Sequence, residues 1–150
     1  MYKHILIASD GSELAQKALE HGLDLAKSMN AKVLIVTISE PIWNAVPGEM
    51  AISFPYEQYE AATKATAERI LAAASHAAQK YGVPYTSKHV KDQFPAEGIV
   101  AAAKENGCDL IVMASHGRRG LAKLVLGSQA GAVMVSSPVP VLVYREAGTS

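Results

Sequence analysis

Residues 109–144 read DLIVMASHGRRGLAKLVLGSQAGAVMVSSPVPVLVY. An apolar run at 110–113 is followed by a stretch rich in glycine and small residues at 114–128, and helical spacing then resumes before Pro138. This order predicts a strand, a loop and a helix. In such a unit the loop follows the carboxyl end of the strand, where backbone N–H groups and the next helix N-terminus can face a phosphate. The stretch therefore indicates the fold class and the place to look for function.

The rest of the chain repeats this alternation of strands and helices. Most of the strands are continuously apolar, as expected for parallel strands covered on both faces, whereas residues 85–90 alternate and predict an edge strand. The pattern predicts one doubly wound α/β domain over residues 1–146, with helices on both faces of the sheet and a loose tail at 147–150. Strands are predicted at 4–9, 33–38, 85–90, 110–113 and 141–144, and helices from Ser12 to Met29, at 56–81, from Phe94 to Asn106 and at 128–135.

Residues 40–54 contain Pro41 and Pro47 and show no clean period, which predicts a long loop. Long loops beside a site are often lids, so Trp43 and Phe54 are candidates for shielding a base. A mobile surface loop or a partner contact is the alternative interpretation.

Composition restricts the class of protein. The chain has 150 residues, 49% of them hydrophobic, which is enough for a core without disulfides or metals. The formal net charge is zero, which argues against sequence-independent nucleic-acid binding. Cys108 is the single cysteine, so there is no disulfide framework. The N-terminal apolar run is too short for a signal peptide or a membrane span, and we expect a cytoplasmic protein without membrane association.

Asp10 follows the first predicted strand and permits two interpretations. In the structural one, Asp10 or Ser12 caps the following helix by accepting a bond from a free N–H group. In the functional one, its carboxylate accepts hydrogen bonds from an adenine or ribose, or holds a magnesium ion through water.

Three motifs carry a family resemblance. They are Ser115-His116-Gly117 followed after nine residues by Gly127-Ser128, ILIASDGS at 5–12 and PVPVLV at 138–143. Through them the chain resembles the universal stress protein family, and within it the branch with an ATP-binding motif and a UspA-like domain. The resemblance implies a parallel sheet of order 3-2-1-4-5, with the ligand crevice between strands 1 and 4.

The resemblance also implies a binding site for ATP, with Mg²⁺. Asp10 lines the nucleotide site in this comparison, and Arg118, Arg119 and Lys123 add positive charge nearby. Glycines allow close backbone approach, and Ser128 offers a hydroxyl and an N–H group. The implied contacts are Ala8, Ser9 and Ile38 with the adenine, Met113, Ala114, His116 and Gly117 with ribose and phosphates, and Gly127, Ser128, Gln129 and Ala130 with the outer phosphates.

Several functions remain open at this point. The first is a cytoplasmic ATP-binding stress-response regulator. Ala114 stands where the family pattern usually has glycine, which keeps open a nucleotide-free interaction scaffold or a member that binds cyclic AMP. An ATP-splitting enzyme of related architecture is supported only weakly, by the similarity of SDGS at 9–12 to the Ser-Gly-Gly loop of such enzymes. The sequence has no P-loop motif and no recognisable Ser/His/Asp grouping. We assign no catalytic residue and expect at most slow hydrolysis.

The last strand suggests a partner. Residues 139–144 form an apolar strand that is expected at an edge of the sheet, where unpaired backbone groups promote association. Pro138 and Pro140 protecting this edge is the structural alternative. Family members pair this strand across a two-fold axis, so the resemblance implies a homodimer.

Overall fold

The fold is described from a computed structural model, which covers residues 1–44, 46–116 and 126–146. Two 3₁₀ helices, Ile42–Asn44 and Gly48–Ser53, lie in the segment predicted as an irregular loop. The tail at 147–150 is outside the described residues. The main elements are β1 (His4–Ala8), α1 (Glu13–Met29), β2 (Lys32–Ser39), α2 (Tyr56–Tyr81), β3 (Tyr85–Lys91), α3 (Pro95–Glu105), β4 (Leu110–Ala114), α4 (Ser128–Ser136) and β5 (Val141–Tyr144).

All strand pairs are parallel, and the order is β3-β2-β1-β4-β5, which confirms the predicted sheet. Ile7 of β1 pairs with Ile35 of β2 on one side and with Val112 of β4 on the other. β1 and β4 are therefore neighbours although α1, β2, α2, β3 and α3 separate them in the chain. Their carboxyl ends meet at the switch point of the sheet.

The central strands are buried on both faces because helices cover both sides. Ile7 and Val112 face a core formed with α1 and α2, whereas Leu6 and Ile111 face a core formed with α3 and α4. All four side chains are fully buried. This explains why these strands read as continuous apolar runs rather than as alternating patterns.

A glycine brings α1 close to the sheet. A Cβ at Gly22 would lie 2.7 Å from Cδ1 of Ile7 and 3.3 Å from Cγ1 of Val112. The helix begins at the N-cap Ser12 and ends at Asn30, which adopts a left-handed conformation at φ 58°. These contacts fix α1 directly behind the ends of β1 and β4.

No helix in the described part of the chain is long and apolar enough to cross a membrane.

Candidate functional site

A cavity of about 670 Å³ opens at the carboxyl ends of β1 and β4. The structure brings together all the residues predicted for the nucleotide site that lie in the described ranges. Gly117, together with Arg118, Arg119 and Lys123, is outside them. The predicted residues that line the cavity are Ala8, Ser9, Asp10, Ile38, Met113, Ala114, His116, Gly127, Ser128, Gln129 and Ala130.

The turn after β1 is held by its own polar side chains. Ser9 Oγ accepts a hydrogen bond from the N–H of Gly11 at 3.2 Å, and Asp10 Oδ1 accepts one from the N–H of Ser12 at 2.9 Å. Ser12 Oγ in turn accepts from the N–H of Ala15 at 3.2 Å, so Ser12 is the helix cap. The capping role considered for Asp10 thus belongs to Ser12. The Asp10 carboxylate holds the turn and lines the cavity.

Gly127 closes the site against the end of β4. Its N–H donates to the carbonyl oxygen of Ser115 at 2.7 Å, and Ser115 N–H donates to the carbonyl oxygen of Tyr144 at 2.8 Å. A Cβ at Gly127 would lie 2.6 Å from that Ser115 oxygen and 3.0 Å from Cα of His116. Because both neighbours are backbone atoms, only glycine fits this position without a shift of the chain.

The N-terminus of α4 lines the cavity next to this contact. The helical ladder begins with Gly131 N–H donating to the Gly127 carbonyl at 3.0 Å, and Gly127 provides no side-chain cap. The N–H groups of Ser128, Gln129 and Ala130 therefore precede the ladder, which is the arrangement that binds anions.

Gln129 and Ala130 contribute to the site mainly through their backbone. Gln129 Oε1 accepts a hydrogen bond from the N–H of Ala96 at 3.2 Å, which ties α4 to the first turn of α3. Ala130 is buried in the core between these two helices and the sheet. Sequence analysis had placed both residues at the phosphates without identifying this packing role.

Ala114, which stands where the family pattern usually has glycine, packs against α1. Ala114 lies in a buried cluster with Leu14, Ala15 and Ala18 of α1. Among the described residues, the only non-glycine positions with positive φ are Asn30 and Asp92, so Ala114 keeps an ordinary extended backbone. The substitution of alanine for glycine thus fits the fold locally.

One wall of the cavity comes from α2, to which sequence analysis assigned no residue of the site. The missed residues recur at helical spacing, and the two threonines within an alanine-rich face are the signal that identifies them in retrospect. The α2 residues of this wall are Tyr59, Ala62, Thr63, Thr66, Ala67 and Ile70, and Pro95 and Ile99 of α3 line the cavity as well.

The two aromatic residues predicted to shield a base, Trp43 and Phe54, are not among the residues that line the cavity. Trp43 is 67% exposed and is not among the residues that line the cavity. Phe54 contacts the rings of Tyr56 and Tyr59 at 6.0 and 5.7 Å between centroids. Of these aromatic residues it is Tyr59 that reaches the cavity.

Further polar contacts involve residues outside the predicted set. Ser39 Oγ and His89 Nε2 are 2.6 Å apart, and burial lowers the pKa of His89. Near β5, an ion pair with Lys17 lowers the pKa of Glu146, and His116 lowers it further. The described residues contain no cluster of three His, Cys, Asp or Glu side chains arranged for a metal. A magnesium ion at Asp10 would depend on ligand phosphates and water for its other ligands.

Cys108 lies away from this chemistry. Its thiol is buried, and burial raises the pKa of the thiol to about 11. A thiol that stays protonated at neutral pH is a poor nucleophile and a poor metal ligand.

Comparison with known sequences identifies the family of this fold and cavity. The sequence model described as "Universal stress protein family" matches residues 1–145. The chain belongs to the universal stress protein family. It is 35% identical to the universal stress protein in the QAH/OAS sulfhydrylase 3′ region of Thermus aquaticus, covering 97% of this chain and 100% of that one. It is 31% identical to universal stress protein YxiE of Bacillus subtilis, with coverage of 97% and 100%.

Solved structures share the architecture. The structure of MJ0577 from Methanocaldococcus jannaschii superposes with a TM-score of 0.83 at 27% identity and covers 99% of each chain. A universal stress protein in complex with cAMP gives a TM-score of 0.72 at 24% identity, with coverage of 97% and 98%. A universal stress protein from Archaeoglobus fulgidus in complex with dAMP gives 0.67 at 22% identity, with coverage of 95% and 97%.

Proposed function

We propose that the cavity binds ATP with Mg²⁺ and that the chain is a cytoplasmic ATP-binding regulator of the stress response. The observation that carries the proposal is the convergence of the first N–H groups of α4, the Gly127 contact and the Asp10 carboxylate on one cavity. N–H groups at a helix N-terminus favour phosphate, and a carboxylate beside them favours a divalent cation. Solved structures of the same fold with cAMP and dAMP support an adenine nucleotide as the ligand class.

The proposed orientation follows from the two ends of the cavity. The phosphates lie at the N-terminus of α4, where backbone donors are concentrated. The base lies between Ala8, Ser9 and Ile38, which line the cavity. Asp10, which lines the same cavity, holds Mg²⁺ through water, as Mg²⁺ commonly keeps part of its hydration shell.

Regulation rather than turnover is the proposed use of the nucleotide. We assign no catalytic residue, and we expect hydrolysis to be slow if it occurs. The nucleotide then acts by favouring one arrangement of the residues that contact it.

We also propose that the chain forms a homodimer through β5. β5 is an edge strand of the sheet, bonded to β4 on one side. Next to it in the chain, Met134 and Val135 of α4 are 51% and 89% exposed. An open strand edge and exposed apolar side chains each favour association with a second copy.

The direct test is calorimetric titration of nucleotide-stripped protein with ATP, ADP and cyclic AMP, each with and without Mg²⁺. Saturable ATP binding that strengthens with Mg²⁺ is the expected result. If cyclic AMP alone binds, the ligand is the cyclic nucleotide rather than ATP. Cyclic AMP is the ligand in one structure of this fold. Absence of binding for all three would contradict the proposal and favour the interaction scaffold.

A further inference from the structure

A serine and a histidine outside the predicted site form a pair at the rim of the cavity. Ser39 at the end of β2 lines the cavity, and its Oγ lies 2.6 Å from Nε2 of His89 on β3. The strand register pairs Thr37 with His89, so Thr37, Ser39 and His89 share the face of the sheet that α2 covers. The imidazole therefore lies behind Ser39 as seen from the cavity.

The surroundings of His89 favour its neutral form. Burial is the largest cause of its lowered pKa, Lys91 on the same strand lowers it further, and Glu68 of α2 raises it. Lys88 points to the opposite face, where it pairs with Glu105 of α3 at 3.7 Å. The uncharged Thr37 and Ser39 are the neighbours on β2. The lowered pKa favours the neutral ring at neutral pH.

The presence or absence of a proton on Nε2 of His89 determines what Ser39 offers to the cavity. When Nε2 is unprotonated, it accepts the hydroxyl proton of Ser39, which leaves the Oγ lone pairs for a ligand. When the ring is protonated, Nε2–H donates to Oγ, and the hydroxyl proton turns toward the cavity. Ser39 then changes from an acceptor to a donor without any movement of the backbone.

We propose that Ser39 forms a hydrogen bond with the exocyclic group at position 6 of a bound purine. His89 determines whether Ser39 accepts or donates this hydrogen bond. Neutral His89 with its proton on Nδ1 makes Ser39 an acceptor that selects the amino group of adenine. Protonated His89 makes it a donor that suits the carbonyl group of hypoxanthine. The inference rests on the proposed function, because Ser39 directly follows Ile38, which borders the base in that arrangement.

The test compares ATP with ITP, which differ at position 6 of the base and carry the same triphosphate. Affinities are measured calorimetrically at about pH 7.5 and at a lower pH at which NMR shows the His89 ring to be protonated. We expect a preference for ATP at the higher pH that falls about tenfold at the lower pH, the effect of one mismatched hydrogen bond. The ratio of the two affinities cancels the titration of the phosphates, which both nucleotides share.

Two variants and one control isolate the pair. Ser39→Ala removes the hydroxyl group that contacts the base, and His89→Gln removes the titratable ring. In both variants the ratio of ATP affinity to ITP affinity should therefore be independent of pH. His76→Gln changes an exposed histidine of α2 and should retain the dependence of the wild type. Circular dichroism and thermal midpoints check folding, and Ser39→Ala carries the test by itself if His89→Gln does not fold.

The outcomes separate the two proposals. The role of Ser39 and His89 would be overturned if the ratio of ATP affinity to ITP affinity did not change with pH in the wild type. It would also be overturned if the pH dependence of this ratio survived in either variant. ATP binding would stand in both cases. Failure of both nucleotides to bind would overturn this inference together with the proposed function.

Discussion

At Gly127 the neighbouring backbone leaves no room for a Cβ atom unless the chain shifts. Gly127→Ala places a methyl group against the Ser115 carbonyl oxygen and the His116 backbone, so the start of α4 must move away from β4. We expect stability to fall by about 1–3 kcal/mol, as in other overpacked sites. ATP affinity should fall more than tenfold, because the donors of α4 no longer converge on the cavity. Chemical denaturation and calorimetry measure the two effects.

Gly131 provides the matched control within the same helix. A Cβ there meets only Cδ2 of Leu126, at the ordinary contact distance of 3.8 Å. Gly131→Ala should therefore stabilise the protein by about 0.5–1 kcal/mol through helix propensity and leave binding unchanged. Equal ATP affinities for the two alanine variants would contradict the assignment of Gly127 to the site.

Ala114 is the second informative residue, because its methyl group could either crowd a phosphate or support the fold. It packs with Leu14, Ala15 and Ala18, so Ala114→Gly should cost about 1 kcal/mol of stability through the lost methyl burial and the flexible strand position. We expect ATP affinity to change less than about twofold. Markedly tighter ATP binding in calorimetry would show that the methyl group crowds the ligand after all.

At the scale of elements, α2 is the part of the cavity that sequence periodicity did not reveal. Its alanine-rich face packs on β2 and β3, and the same face continues past the end of the sheet, where Thr63 and Thr66 line the cavity. Hydrophobic patterning identifies a buried face, but it does not distinguish a face against a strand from a face against an open cavity.

Thr66→Phe tests whether α2 is a wall of the binding site. The larger side chain occupies cavity volume, so ATP affinity should fall at least tenfold while the helix persists. The loss of the exposed Arg69 Nη2 hydrogen bond to Thr66, at 3.2 Å, should cost little stability.

Ala65→Phe is the control for that substitution, since Ala65 is the neighbouring exposed position and does not line the cavity. It should bind ATP like the wild type. Similar losses for both variants in calorimetry would indicate a general perturbation of α2 and remove it from the site.

At the scale of the whole molecule, the open edge of β5 is the interface of the proposed homodimer. The carbonyl groups of Pro140 and Tyr144 accept hydrogen bonds from β4, so the backbone groups of Val141 and Val143 point to the open edge. Val143→Pro removes one outward N–H group and spares the ladder to β4. We expect the dimer dissociation constant to rise at least tenfold in sedimentation equilibrium, since β pairing requires that donor.

Ser87→Pro makes the same change at the opposite edge of the sheet. Pro84 accepts from Val33 of β2, so by the same alternation the N–H of Ser87 points away from the sheet. This variant should associate like the wild type. A wild-type chain that sediments as a monomer at micromolar concentration, or equal weakening by both prolines, would contradict dimerisation through β5.

Sequence alone determined the order and type of the helices and strands, because local periodicity and breaker residues report them directly. It also placed candidate ligand residues at the ends of strands 1 and 4, since chain turns such as residues 9–12 follow strands by local rules. The strand order came from family resemblance, and the sheet of the structure agrees with it. The short 3₁₀ helices in the segment at 40–54 were not predicted, because they are too short to show a sustained period.

Tertiary structure alone decided which distant residues meet around the cavity. Ser39 and His89 lie 50 positions apart and meet because β2 and β3 pair in one register, and Gln129 reaches Ala96 because α3 and α4 pack side by side. The walls from α2 and the packing of Ala114 on α1 have the same origin. Periodicity reports which face of an element is buried, whereas packing among elements determines what that face touches.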